Sequence, residues 1–165
     1  MGLKISLILS FLLSYGLLQG QELSVSFTIR NAGFNVEGKF TEASIDYNFD
    51  VKNLNSAYFN ADIKVGSIDT GIGSRDKHLL KDKYFDVDQF PSMTFRSTQV
   101  VKEANQYFIL GKLTIKGASR DLKIPLTAFE DSFEVEFELN RRDYGVGGNS
   151  LILSDDVNIK LKLAK

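Results

Sequence analysis

Cysteine is absent from the 165 residues. That excludes disulfides, thiolate metal sites, a cysteine nucleophile and lipid attachment at an N-terminal cysteine. A domain of this size without crosslinks must be held together by its own core and sheet. Tryptophan is also absent, and histidine occurs once, at His78. One imidazole without an accompanying nucleophile makes no catalytic triad, and with carboxylates scattered along strand faces it makes no metal centre. An excess of charge of either sign is lacking too, with 20 basic residues against 21 acidic ones. Such a balance leaves no electrostatic footprint for nucleic acid or for an anionic membrane surface. Long apolar runs are nearly absent. The exception, Ile5 to Leu18, follows Lys4 and precedes Gln19-Gly20. At about 14 residues it is shorter than the roughly 20 of a spanning helix and reads as the apolar part of a secretory signal peptide. Residues 1–20 are expected to be removed after Gly20, with Gly16 as the alternative because Leu18 is a poor residue three before the cut. The remaining 21–165 form one domain with no integral membrane segment, expected in the periplasm or outside the cell.

What is present is alternation. Leu23, Val25, Phe27 and Ile29 alternate with Ser24, Ser26, Thr28 and Arg30, the pattern of a strand with one buried and one wet face. Ile45, Tyr47, Phe49 and Val51 repeat it, as do Phe59, Ala61, Ile63 and Val65. Met93 and Phe95 follow, then Leu122, Ile124 and Leu126, then Phe133, Val135, Phe137 and Leu139 opposed to glutamates, and finally Val157, Ile159, Leu161 and Leu163. Gly38 inside Phe34 to Phe40 predicts a bulge or bend, and Tyr107 to Ile115 is apolar on both faces, leaving its register open. The count is about eight strands joined by short turns, which favours an antiparallel sheet that closes on itself.

One interval breaks the pattern. From Ser67 to Phe95 the chain reads SIDTGIGSRDKHLLKDKYFDVDQFPSMTF and gathers Arg75, Asp76, His78, the Tyr84-Phe85 pair and Pro91, one of only two prolines. Ser74 can cap a short helix there, Asp76 suits its first turn, and Leu80 and Tyr84 would share a face. The segment is expected to plug one end of the barrel with Leu79, Leu80 and Phe85 packed inward.

Alternation does not say which face points inward. A barrel in an outer membrane shows apolar residues to lipid, whereas the missing tryptophan girdle and the lysine-rich end at Lys162 to Lys165 favour the apolar face inside. Phe27, Ile29, Tyr47, Phe49, Phe59, Ile63, Phe95, Phe133, Val135, Phe137 and Leu139 would then line the interior. Whether they fill it or surround a void stays open at this level.

Four stretches, SIDTGIGSRDKHL at 67–79, YFDVDQFPSMTFRST at 84–98, GKLTIKGASRDLKIPL at 111–126 and NRRDYGVGGNSLILSD at 140–155, together resemble the YceI-like family of polyisoprenoid- and lipid-binding proteins. The resemblance covers nearly all of the chain after the leader. It implies an all-β, lipocalin-like antiparallel eight-stranded barrel with one short helical segment in a connection. It further implies an exported protein enclosing a long-chain amphiphile, such as a polyisoprenoid or an isoprenoid quinone, for storage or transport. Tyr84 and Tyr144 depart from the phenylalanines frequent in the family.

The remaining chemistry is weighed against this. Arg75 and His78 suggest contact with a ligand head group rather than catalysis, so no enzyme and no cofactor is expected. Arg141 and Arg142, on opposite faces if they lie in a strand, are expected to pair with Asp143 or Asp155. Gly145-Val-Gly-Gly148 is not followed by a helix pattern and reads as a turn, not a phosphate loop. The alternative to lipid binding is a structural or interaction barrel with a filled interior, which could form a homodimer.

Overall fold

The computed structural model describes residues 23–165, so the signal peptide expected at 1–20 lies outside the described residues. The strands are β1 (Leu23–Asn31), β2 (Phe34–Phe40), β3 (Ala43–Asn48), β4 (Tyr58–Lys64), β5 (Ile68–Asp69), β6 (Ser92–Glu103), β7 (Gln106–Ile115), β8 (Ala118–Ala128), β9 (Ser132–Asn140) and β10 (Leu153–Ala164). An α-helix, α1 (Gly73–Leu79), lies between β5 and β6. The described residues thus carry ten strands rather than about eight. The two-residue β5 is too short to show an alternation, and each longer run closes a ladder of its own.

All ten belong to one antiparallel sheet in the order β3-β4-β6-β7-β8-β9-β10-β1-β2-β5. The consecutive strands β2 and β3 therefore stand near opposite ends of the sheet although only Thr41 and Glu42 separate them. So short a link forces the sheet to curl until its ends meet. The Thr41 amide donates to the Ser67 carbonyl at 3.1 Å and the Lys64 amide to the Glu42 carbonyl at 2.9 Å, stitching that seam. The β1–β2 turn places Ala32 and Gly33 at φ 49° and 85°, the left-handed pair that a tight hairpin needs to follow the twist of its strands.

Register settles the faces. Phe27 pairs with Ile159 and Ile159 with Phe137, while Ile29, Val157 and Leu139 form the next row. Alternate rows on the opposite face set Lys160 against Glu136 and Lys162 against Glu134, with the last pair 3.2 Å apart. Apolar rows therefore face the inside of the curl and charged rows face out, the reverse of a lipid-facing barrel. In β7 the doubly apolar pattern resolves the same way. Ile109, Leu113 and Ile115 are buried inward, and outward Phe108 is covered by Lys123, whose Nζ lies 4.5 Å from the ring centroid.

Gly38 is not a bulge. It pairs in regular register with Phe27, and a Cβ there would lie 2.3 Å from the Phe27 ring. The glycine gives the ring somewhere to lie flat across the neighbouring strand. The irregularities fall elsewhere, between Ile29 and Asn31 in β1 and between Ser97 and Gln99 in β6. Strand β3 stops at Asn48, so Phe49 and the exposed Val51 lie beyond it.

Candidate ligand-binding cavity

The interior is half filled. At one end of the curl Phe59, Ile109, Leu126, Phe133 and Leu163 are buried, with Leu126 only 1% exposed. Their rings and branches make a packed floor. Tyr47 stacks on Phe59 with centroids 5.6 Å apart and planes 5° from parallel, and Phe133 meets it edge-on at 5.4 Å. Phe49 packs behind, 5.2 Å from Phe133 and 5.3 Å from Tyr107. Such aromatic pairs add about 0.5–1.5 kcal/mol each beyond the area they bury.

Above this floor the inward rows do not meet. Phe27, Ile29, Val135, Phe137 and Leu139 point inward by register yet stay partly exposed, because their surfaces border a cavity of about 450 Å³. That volume falls in the range of small-molecule sites. Phe59, Ile63, Phe95 and Phe133 also line it. Tyr47 and Phe49, expected on the lining, are not part of it. At the end of β3 they meet Phe59 and Phe133 directly, and the space there is taken by rings. Ile159 and Leu161 belong to the lining and were legible in the alternation of the last strand, although they were not singled out.

The other end carries the polar groups. Asn31, Thr70, Arg75, His78, Lys83 and Asn149 line the cavity there. Arg75 and His78 are thus where the sequence placed them, beside the mouth, on α1. The helix begins without the expected cap. Ile72 holds the capping position with no side-chain bond, and Ser74 lies inside the first turn. Local order comes instead from Thr70. Arg75 Nε donates to the Thr70 hydroxyl at 2.7 Å and Arg75 Nη2 to its carbonyl at 2.6 Å, while the Asp76 carboxylate accepts from the Thr70 amide at 3.0 Å and from its hydroxyl. The helix ends at Leu79, so Leu80 and Tyr84 share no helical face. The helix end and the turn that follows nevertheless pack Leu79, Leu80 and Phe85 against the core, as expected. The His78 and Tyr84 rings meet at 5.0 Å.

Arg141 and Arg142 lie in a single 3-10 turn, Arg141–Tyr144, not in a strand. Arg141 is 4% exposed and spends its donors on the chain that follows. Nε bonds the Ser154 carbonyl at 2.8 Å, Nη1 the carbonyls of Val146 at 2.7 Å and Gly148 at 2.8 Å, and Nη2 the Asp155 carboxylate at 2.7 Å. Exposed Arg142 reaches the other Asp155 oxygen at 3.3 Å. The pairing with Asp155 is therefore the one made. This clamp shapes the Gly145–Asn149 loop, which the Gly147 amide ties to the Lys83 carbonyl at 2.9 Å. A Cβ on Gly147 would come within 3.0 Å of both Arg141 and Tyr84, so the glycines here serve close packing.

Tyr144 lines the cavity and is 3% exposed, and its hydroxyl has no hydrogen-bond partner among the described residues. Burial pushes the phenol up to about 12, with Arg120 opposing and Asp143 adding to the rise. Because the folded value lies above the ordinary 10, the unfolded chain ionises first, so stability is full below pH 10 and falls as pH rises toward 12. Tyr144→Phe is expected to leave stability at pH 7 unchanged or raised by about 1 kcal/mol, since it removes an unsatisfied buried hydroxyl. Denaturant unfolding at pH 7 and pH 11 checks this: the variant's advantage should widen at the higher pH.

The sequence matches the family model of the YceI-like domain over residues 18–164. The chain belongs to the YceI-like family. A protein named YceI from Salmonella arizonae is 30% identical over 139 residues, covering 78% of this chain and 73% of its own. The crystal structure of Burkholderia cenocepacia BcnA superposes with a TM-score of 0.83 at 26% identity, covering 87% of this chain and 96% of that one. A polyisoprenoid binding domain from Saccharophagus degradans, implicated in plant cell wall breakdown, shares the fold with a TM-score of 0.64 at 14% identity, over 86% and 92% of the two chains. The lipocalin-like barrel expected of a YceI-like chain is thus the fold it has, as a curled ten-stranded sheet. Among the described residues no group of three or more His, Asp or Glu side chains could hold a metal ion.

Proposed function

We propose that this protein is an exported, non-catalytic lipid carrier that encloses a long-chain amphiphile such as a polyisoprenoid or isoprenoid quinone, for storage or transport, in the periplasm or outside the cell. The observation that carries the reading is the half-filled interior. Inward side chains pack the floor to completion and stop, leaving a hollow walled by Phe27, Ile29, Val135, Phe137 and Leu139. A filled structural barrel would bury those residues as fully as it buries Phe133. Family membership supports the same reading, as does the polyisoprenoid binding domain that shares the fold. Export is supported by the leader-like composition of residues 1–20.

An apolar tail gains roughly 0.8 kcal/mol per methylene buried. About ten such groups would supply on the order of 8 kcal/mol before the cost of ordering the ligand. Affinity should therefore track tail length more closely than tail chemistry. Displacement of a fluorescent lipid by a series of single-chain alcohols tests this. Binding is expected to tighten steadily with each added methylene and to level off once the tail reaches the aromatic floor. A flat response, or failure to take up the fluorescent lipid, overturns the proposal.

A further inference from the structure

The charge of the cavity lining is one-sided. Arg75, Lys83 and Arg141 contribute to it, and among the described residues no aspartate or glutamate does, although the chain as a whole has slightly more acidic than basic residues. Arg141 is neutralised by Asp155 and fully engaged by carbonyls. Lys83 is not. Its ammonium makes no hydrogen bond or salt bridge in the described structure and lies 5.8 Å from the Tyr84 ring centroid. The acids nearest it in sequence are occupied elsewhere: Asp82 accepts from the Lys83 backbone amide at 2.8 Å and Asp86 from Gln89 at 2.8 Å. Arg75 keeps its charge beside the same opening, with Nε and Nη2 fixed on Thr70.

Resting on the lipid-binding reading, we infer that the enclosed amphiphile carries an acidic head group, a carboxylate or a phosphate monoester, held at the mouth by Lys83 and Arg75. The tail lies in the apolar hollow, where head-group charge would be costly to bury, so the anion stays at the end where the cations stand. A charge-assisted hydrogen bond from an ammonium or guanidinium is stronger than the neutral contact an alcohol could make there. A cationic head group would meet like charge and lose affinity.

The test compares four ligands with one sixteen-carbon tail, ending in a carboxylate, a phosphate, a hydroxyl or a trimethylammonium group, each displacing the same fluorescent lipid below its aggregation concentration. The acidic ligands are expected to bind about tenfold more tightly than the alcohol at low salt, with the gap narrowing as salt is raised, and the ammonium most weakly. The stronger of the two acids identifies which anion the mouth favours. Lys83→Glu and Arg75→Gln should each collapse the acid-to-alcohol ratio toward one, whereas Lys112→Gln, on the outer surface and paired with Asp121 at 3.0 Å, should keep it. An alcohol that binds as tightly as the acids, or an ammonium that binds more tightly, overturns the head-group inference and leaves lipid binding standing. Failure of all four to displace the probe overturns both.

Discussion

Arg141→Ala is expected to destabilise the fold by about 3–5 kcal/mol, the largest effect of any single polar substitution in the barrel. The cost has two parts. The Asp155 carboxylate loses its 2.7 Å partner, and the carbonyls of Val146, Gly148 and Ser154 lose the donors that hold them. Each acceptor left unsatisfied where water is scarce costs about 1–3 kcal/mol. Urea unfolding measures the total, and Arg141→Lys separates charge from geometry, since an ammonium can keep Asp155 but cannot span all three carbonyls. Lysine is expected to recover less than half of the loss. A loss below 1 kcal/mol for alanine would mean that the loop from Gly145 to Ile152 holds its shape without the clamp.

Phe137→Asp is expected to lower the affinity for a long-chain lipid at least a hundredfold while leaving the protein folded. The ring lines the hollow in the row formed with Phe27 and Ile159. A carboxylate there is hydrated while the cavity is unliganded, but an entering tail would strip that water, at a cost of several kcal/mol. The control is Phe133→Asp. Phe133 is 4% exposed and ringed by Tyr47, Phe49 and Phe59, so the same charge at the floor should unfold the domain instead. Lipid titration followed by thermal unfolding distinguishes the two. Undiminished uptake by a folded Phe137→Asp would show that the tail does not occupy this row.

The two substitutions sit four residues apart in sequence, and they differ in how legible they were. Phe137 was readable because strand alternation with glutamates at 134, 136 and 138 marks one face as apolar, and the same logic placed Phe27, Ile29, Val135 and Leu139 on the lining. Tyr47 and Phe49 were misplaced because alternation gives a side, not a depth. Both point toward the interior, but near the end of β3 the interior is already filled by Phe59 and Phe133. Arg141 was legible only as half of an ion pair. Two of its carbonyl partners, Val146 and Gly148, lie on a loop whose path depends on Gly147 and Gly148 at positive φ, which no periodicity reports. The polar mouth was the least visible part. Asn31 at the end of β1 and Thr70, Lys83 and Asn149 in three separate connections are brought together only by the curled sheet. Gly38 is the opposite case: a signal that was plain and misread, since the missing side chain makes room for Phe27 instead of bending the strand.

The packed floor and the hollow above it give the barrel a division of labour. Stability comes from the rings and branches at one end, and from the Arg141 clamp at the other. The middle rows stay unfilled between these two ends, with Val25 of β1 and Phe133 of β9 buried at the floor side. The central claim is that a long-chain amphiphile occupies this hollow, and native mass spectrometry of the protein purified under gentle conditions tests it most directly. The expected spectrum contains a complex heavier than the chain by the mass of one lipid, released on solvent extraction and restored on adding lipid back. A chain that is found only at its own mass, and that stays there after incubation with long-chain lipids, would contradict the claim.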